Sequence, residues 1–385
     1  MISMNIYLVG GAVRDQLLGY PYTEKDWVVV GSTPENMLAQ GFTPVGKDFP
    51  VFLHPKNHEE YALARTERKT APGYKGFTFH TAADVTLKED LRRRDLTINA
   101  IAQTKEGDII DPYNGQQDII NKRLRHVSPA FREDPVRVLR VARFAARYHH
   151  LGFELAAETY QLMRSMVAAG ETQYLVAERV WQEFQKALTE QHPEQFIQVL
   201  DQCHAITNIF PEISPQYFAT CLSLLTSVSR VCQDSRVRFA ILCYRLSGKA
   251  IRSLCKRLGI PNEYTELAVM TRQYYDTFRD VDKWNSDKLS DLFKKTDALR
   301  KTERFLLFIQ TCTYLLSVQN KTTSNQPSKP NIGLIDALAA YQDVDPQDLI
   351  AQGYAKGELG KAIQKARMAS LNAWLNLHQS SITHD

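Results

Sequence analysis

Residues 6–15 read IYLVGGAVRD. Ile6 to Val9 are four apolar residues in a row and predict a short buried strand. Gly10 and Gly11 let the backbone turn, and a helix should follow through Leu18, with Gly19 as its stop. A strand that turns into a helix through glycines presents free N–H groups at the helix start. Such a turn suits a phosphate, and Arg14 adds charge beside it. Outward from this unit, Trp27 to Val30 reads as a second apolar strand closed by Gly31. Thr33-Pro34-Glu35 reads as a helix start and Gly41 as a helix end. Val51 to His54, Glu60 to Arg65 and Asp108 to Asp111 are strand-like, the last of these being the final strand expected. Residues 69–90, with Pro72, Gly73 and Gly76, read as a flexible loop.

After Asp134 the pattern changes to long stretches of 3.6-residue period. Residues 126–320 are expected to be all-helical, 320–331 a polar, Pro-containing linker, and the remainder a helical tail. The fold class expected is therefore α+β. An N-terminal head of strands and helices (1–125) precedes a helical neck (126–200), a helical body (201–319) and a tail (332–385).

The 385 residues are 44% hydrophobic and 23% charged, which is ordinary for a globular chain. A net charge of +4 permits a polyanionic partner without requiring one. All six cysteines lie beyond residue 200 and none forms a C-x-x-C pair, so buried thiols are expected rather than metal ligands. The N-terminus is too short and uncharged for a signal peptide. The longest apolar stretch, Phe305 to Val318, is interrupted by Gln310, Thr311 and Thr313, short of a membrane span. A reduced, cytoplasmic chain with no membrane association is expected.

Three further groups carry chemistry. Glu24 and Asp26 are two apart before an apolar strand, so both carboxylates face one side of an extended segment. Paired hard oxygens suit Mg²⁺ that also holds triphosphate oxygens, although an isolated E-x-D is more often a solvated turn. Arg92-Arg93-Arg94-Asp95 precedes an apolar stretch. It reads either as a solvated helix start or as a clamp for triphosphate and ribose. Asp134-Pro135 opens a helix in which Asp134 and Arg137 are neighbours on one face. Arg140, Arg143 and Arg147 continue round that side, and Val138, Leu139, Ala142, Ala145 and Ala146 lie opposite and should pack.

The ordered set Gly-Gly-x-x-Arg-Asp, acidic-x-Asp, Arg-Arg-Asp-x-x-x-Asn-Ala, Asp111-Pro-Tyr-Asn-Gly115 and Glu133-Asp-Pro-x-Arg137 closely resembles the class II tRNA nucleotidyltransferases, the bacterial CCA-adding enzymes. Glu178-Arg179-Val180-Trp181 looks like that family's helical neck. The resemblance is continuous over residues 5–200 and weak beyond. It implies that the head is a nucleotidyltransferase domain with a mixed β-sheet. It implies addition of the 3′-terminal CCA of tRNA from CTP and ATP, with Mg²⁺ held by Glu24 and Asp26. Glu60 or Glu67 would supply a third carboxylate. Gly11 and Arg14 would touch nucleotide phosphates, and Arg94 and Asp95 the ribose and triphosphate. Asp134 and Arg137 would read the base, while Arg140 and Arg143 bind phosphate or a remaining base acceptor.

Cytosine and adenine each place an amino donor beside a ring-nitrogen acceptor, which an Asp/Arg pair complements. Uracil and guanine present the reverse order. The implied partners are the tRNA acceptor end, CTP and ATP, with no DNA. A poly(A) polymerase of the same superfamily and a non-catalytic RNA-binding protein are the alternatives. Where some relatives carry a His-Asp phosphohydrolase signature, this chain reads Tyr244-Arg245, and no histidine stands between His204 and His378. A functional site of that kind is not expected.

Overall fold

A computed structural model describes residues 4–22, 24–45, 51–69, 77–80, 83–280, 284–320 and 332–382. The chain divides into two compact units, Met1–Ser214 and Pro215–Asp385. The head and neck read from the sequence both lie in the first.

The first unit is built on a seven-stranded sheet of order β3-β4-β5-β2-β1-β8-β9. Its strands are β1 (Asn5–Val9), β2 (Asp26–Val30), β3 (Thr43–Val45), β4 (Val51–Leu53), β5 (Glu60–Leu63), β8 (Ala102–Gln103) and β9 (Ile109–Ile110). The β2–β5 pair is parallel and the other pairs are antiparallel, so the sheet is mixed as expected. Alternation sets its two faces. Val9 and Val28 pack with Leu91 and Ala100 on one side. Val29 packs with Met37, Phe52 and Leu63 on the other.

Helix α1 (Gly11–Leu17) follows β1, and α2 (Pro34–Ala39) follows β2 with Thr33 capping Asn36 N. The region 69–90 is not the single loop read from its glycines and proline. Strands β6 (Thr66–Lys69) and β7 (Phe77–His80) pair antiparallel, and α3 (Leu87–Arg92) starts from a Thr86/Glu89 capping box. Residues 70–76 and 81–82 lie outside the described residues.

Helix α4 (Gly115–Ile120) follows the Asp111–Gly115 motif, and α5 (Val136–Tyr148) carries the arginine series. The expected apolar face of α5 is buried, including Val138, Leu139, Ala142 and Ala146. Strand β10 (Arg123–Leu124) pairs in parallel with β11 (Glu154–Leu155) beyond α5. The reading of 126–320 as all-helical, with no strand after Asp111, is thereby corrected. Two-residue strands carry no periodic signal in the sequence. The unit closes with α6 (Ala157–Ala168), α7 (Ala177–Thr189), α8 (Pro193–Gln202) and α9 (Ile206–Ile209).

Among the described residues the second unit is helical, from α10 (Pro215–Ser229) and α11 (Ser235–Cys243) to the long α18 (Lys356–Ile382). All six cysteines are free and buried. Arg238, at the start of the segment singled out for its Tyr244-Arg245 pair, is fully buried and donates to the carbonyls of Cys232 (2.7 Å) and Ser229 (2.9 Å). Arg245 Nε donates to the Tyr244 hydroxyl at 2.7 Å. Among the described residues no helix is long and apolar enough to cross a membrane.

Candidate active site

One cleft of about 720 Å³ in the first unit is lined by ten of the residues singled out from the sequence for metal or nucleotide: Gly11, Arg14, Glu24, Asp26, Arg94, Asp95, Asp134, Arg137, Arg140 and Arg143. It is also lined by Arg93, Asn99, Arg147 and Arg179 of the sequence motifs, and by residues not singled out, including Arg65, Phe144, Lys186, Thr189 and Glu190.

The β1–α1 turn forms one wall. Gly10 has φ +70°, and a Cβ there would stand 2.8 Å from Arg94 Nη1, so the turn requires glycine at this position. Arg14 is buried, pairs with Asp15 at 2.8 Å and donates to the Asn99 side chain. Asp15 also accepts from the Tyr148 hydroxyl (2.8 Å) and Arg147 (3.2 Å), which ties α1 to the end of α5.

Asp26 begins β2 beside Val9 of β1 and Glu60 of β5. The next residue anchors it. Trp27 stacks on Tyr61 at 5.6 Å and donates to Glu59 at 2.7 Å on the opposite face. Desolvation by the surrounding cleft raises the Asp26 pKa. Arg94 opposes that shift and the Glu24 carboxylate adds to it. Neither Glu24 nor Asp26 makes a hydrogen bond or ion pair among the described residues, so the oxygen pair is free to take a hard cation. No third His, Cys, Asp or Glu completes a ligand cluster with them among the described residues. Glu60 is the neighbour of Asp26 in the register but does not line the cleft. The side chain of Glu67 lies outside the described set.

The Arg92–Asp95 segment is the end of α3 and not the start of a helix. Asp90 is fully buried and receives Arg93 at 2.7 Å and Arg94 at 3.4 Å. Asp95 accepts from Arg140 Nε (2.7 Å), Asn99 Nδ2 (2.8 Å) and its neighbour's backbone, Leu96 N (2.8 Å). Burial alone would raise its pKa, yet Arg140 and these donors hold the carboxyl well below the ordinary range. The Asp111 motif buttresses this wall. The Asp111 carboxylate accepts from Gly115 N and Gln116 N at 2.8 Å each. A Cβ on Gly115 would lie 2.2 Å from Thr97 O, so α4 approaches the Thr97–Asn99 turn as only glycine allows.

Asp134 lies just before α5 and accepts from Val136 N at 3.1 Å. Pro135, not Asp134, takes the cap position, so the helix starts one residue later than the Asp134 cap implied. Arg179 of α7 donates to both oxygens of Asp134, at 3.1 and 2.7 Å. Arg137 donates to Ala130 O at 2.7 Å. Glu183, one turn along α7, accepts from Arg143 at 2.6 Å and lies 3.6 Å from Arg140. The arginine face of α5 is therefore not a solvated stripe: Arg137 and Arg143 are only 6% and 7% exposed.

A family model described as "Poly A polymerase head domain" matches residues 6–125, and one described as "Probable RNA and SrmB- binding site of polymerase A" matches residues 152–217. A "CCA-adding enzyme" of Coxiella burnetii is 50% identical, covering 97% of this chain and 96% of its own. A "Multifunctional CCA protein" of Teredinibacter turnerae is also 50% identical, over 96% of this chain and 97% of its own. The chain belongs to the class II CCA-adding enzymes. The fold agrees. The CCA-adding enzyme of Bacillus stearothermophilus in complex with CTP superposes with a TM-score of 0.70 at 22% identity, covering 99% of this chain and 95% of its own. The Thermotoga maritima CCA-adding enzyme complexed with tRNA gives 0.68 at 21%, covering 98% and 92%.

Within this CCA-adding frame, one signal could have found the α7 contribution. Arg179, Glu183, Lys186 and Glu190 recur at helical spacing along one face, and three of the four line the cleft directly.

Proposed function

We infer that the chain adds and repairs the 3′-terminal CCA of tRNA, transferring CMP and AMP from CTP and ATP without a nucleic-acid template and releasing pyrophosphate. The observation that carries this is one cleft holding a free acidic pair, a ring of arginines and the Asp134/Arg137 pair, in a chain 50% identical to enzymes named for CCA addition.

Enzymes of this family use a divalent metal, and we propose Mg²⁺ held by Glu24 and Asp26. Bound there, it would lower the pKa of the RNA 3′-hydroxyl and neutralise the leaving pyrophosphate. The chain's own groups do the rest. Arg14 and Arg94 bind phosphate oxygens beside the acidic pair, and Arg140 and Arg143 extend the positive wall. Asp95 orients Arg140 and contributes to the ribose side.

Asp134 accepts from the exocyclic amino group of cytosine or adenine while Arg137 donates to the ring nitrogen. The hydrogen-bond inventory permits this. A carboxylate offers about four lone-pair sites. Val136 N and the two Arg179 donors occupy three of them, leaving one for the base. Uracil or guanine would set a carbonyl against that carboxylate. A bidentate contact of this kind discriminates by about 1–3 kcal/mol, and unpaired buried polar groups extend rejection to about 10⁴-fold.

The test is incorporation into a tRNA lacking its last three nucleotides, with each triphosphate alone and with CTP and ATP together. Two additions from CTP, completion only when ATP is present, and none from UTP or GTP are expected. Homopolymeric growth on ATP alone would favour poly(A) synthesis, and failure to bind Mg²⁺–nucleotide would favour a non-catalytic RNA-binding protein. We also propose that the Tyr244-Arg245 segment supports no metal-dependent phosphohydrolase.

A further inference from the structure

Five acidic side chains line the cleft: Glu24, Asp26, Asp95, Asp134 and Glu190. Four have been given roles in the proposed reaction, and Glu190 has not. Its position is unfavourable for a carboxylate. It is the C-cap of α7, with its backbone N donating to Ala187 O at 3.1 Å, and there the helix dipole presents its negative end. Its side chain is only 18% exposed. Desolvation raises its pKa, countered by the cations Arg147, Arg143 and Arg14, while Asp15 adds to the rise. Arg143 Nη1 stands 3.8 Å from Glu190 Oε1. The helix end disfavours an anion here, and the neighbouring arginines favour it.

We propose that Glu190 is a resident anion that occupies the arginine cluster of the cleft in the absence of substrate and competes with an incoming phosphate oxyanion for it. The inference rests on the nucleotidyltransferase reading of the cleft and adds a residue that tunes affinity there. Arg14, Arg143 and Arg147 carry three positive charges, of which Asp15 and Glu183 balance two, and the excess charge is left to repel its neighbours in an empty cleft. Glu190 offsets that repulsion and keeps the guanidiniums in place. A substrate phosphate must then displace Glu190 or share the cluster with it, which weakens ground-state binding. The phosphate belongs either to the nucleotide's triphosphate or to the RNA backbone near the 3′ end.

The experiment compares wild type with Glu190→Gln and Glu190→Thr in steady-state incorporation on truncated tRNA. CTP and RNA are varied separately, and thermal unfolding serves as the check on folding. KM for one substrate should fall about fivefold, with kcat changing less than KM, the pattern for binding common to ground and transition states. A fall for CTP alone identifies the triphosphate as competitor, and a fall for RNA alone identifies its backbone. Affinity for inorganic pyrophosphate, measured by calorimetry, should rise in the first case and stay constant in the second. If both KM values are unchanged or higher in folded variants, the proposal is overturned. If neither variant folds, the KM values of Glu190→Asp for CTP and for RNA decide. The shorter carboxylate should lower one of them, and unchanged or higher values for both would overturn the proposal. A wild type without incorporation on any triphosphate, whose Glu190 variants still bind pyrophosphate more tightly, would sink the functional reading while sparing this one.

Discussion

Replacing Asp95 by asparagine keeps the shape of the side chain and removes its charge. Asp95 is 6% exposed and joins the α3 end to α5 through Arg140 at 2.7 Å. Breaking a fully buried ion pair costs about 3–5 kcal/mol, whereas an exposed one is worth about 0–1 kcal/mol. The Arg140 side chain is 37% exposed, so solvent screens half of the pair and about 2 kcal/mol is the middle estimate. The amide would also turn a donor toward Asn99 Nδ2 or Leu96 N, adding about 1 kcal/mol. A total near 3 kcal/mol predicts a Tm lower by about 6–12 °C for a unit of this size. The assay is calorimetric unfolding of wild type, Asp95→Asn, Arg140→Ala and the double variant. The coupling should be about 1–2 kcal/mol. Because the folded-state pKa of Asp95 lies below its unfolded value, its contribution is present above the unfolded pKa and is lost as pH falls through the folded one. The gap between wild type and Asp95→Asn should therefore close in acid. A Tm change under about 2 °C with coupling under about 0.5 kcal/mol would refute the reasoning.

Three further outcomes are expected. Gly115→Ala would drive a Cβ to 2.2 Å from Thr97 O and should destabilise the first unit by about 2–3 kcal/mol in denaturant unfolding. Asp26→Asn should raise the Tm of the metal-free protein near neutral pH. The raised folded-state pKa means the ionised carboxylate is held at a disadvantage there, and the difference should shrink as pH falls below the ordinary carboxylate range. The protein should release no more p-nitrophenol from bis(p-nitrophenyl) phosphate with added Mn²⁺ or Ni²⁺ than a buffer blank.

The strand–turn–helix at residues 6–15 was legible because apolar run, glycines and helix lie in one short window. Likewise the Asp134–Arg147 helix was read with its packed face, since helical period is a strong local signal. The head sheet's outer strand Thr43–Val45 and the two-residue strands at 102–103, 123–124 and 154–155 were not. Their existence depends on partners distant in the sequence. Two glycines and a proline made 69–90 read as loop. They hid the Thr86/Glu89 capping box that starts a helix at Leu87. At the site, the residue types and motif order pointed to side chains that line one cleft. What the sequence could not convey was who holds them: Asp134 by Arg179, Arg143 by Glu183, Arg140 by Asp95. Each pair spans at least 40 residues, and no spacing rule reaches that far. Glu190 stands in the 179/183/186/190 spacing, but that spacing alone does not tell a cleft-facing helix face from a solvated one.

Single-turnover incorporation by wild type and Arg137→Ala, with each of the four triphosphates on truncated tRNA, tests the base-reading claim most directly. Wild type should use CTP and ATP only. Arg137→Ala should admit UTP and GTP while its preference for CTP falls by about 1–3 kcal/mol, roughly 5- to 150-fold. Unchanged selectivity in a folded Arg137→Ala enzyme would contradict the assignment of the α5 pair as the reader of the base.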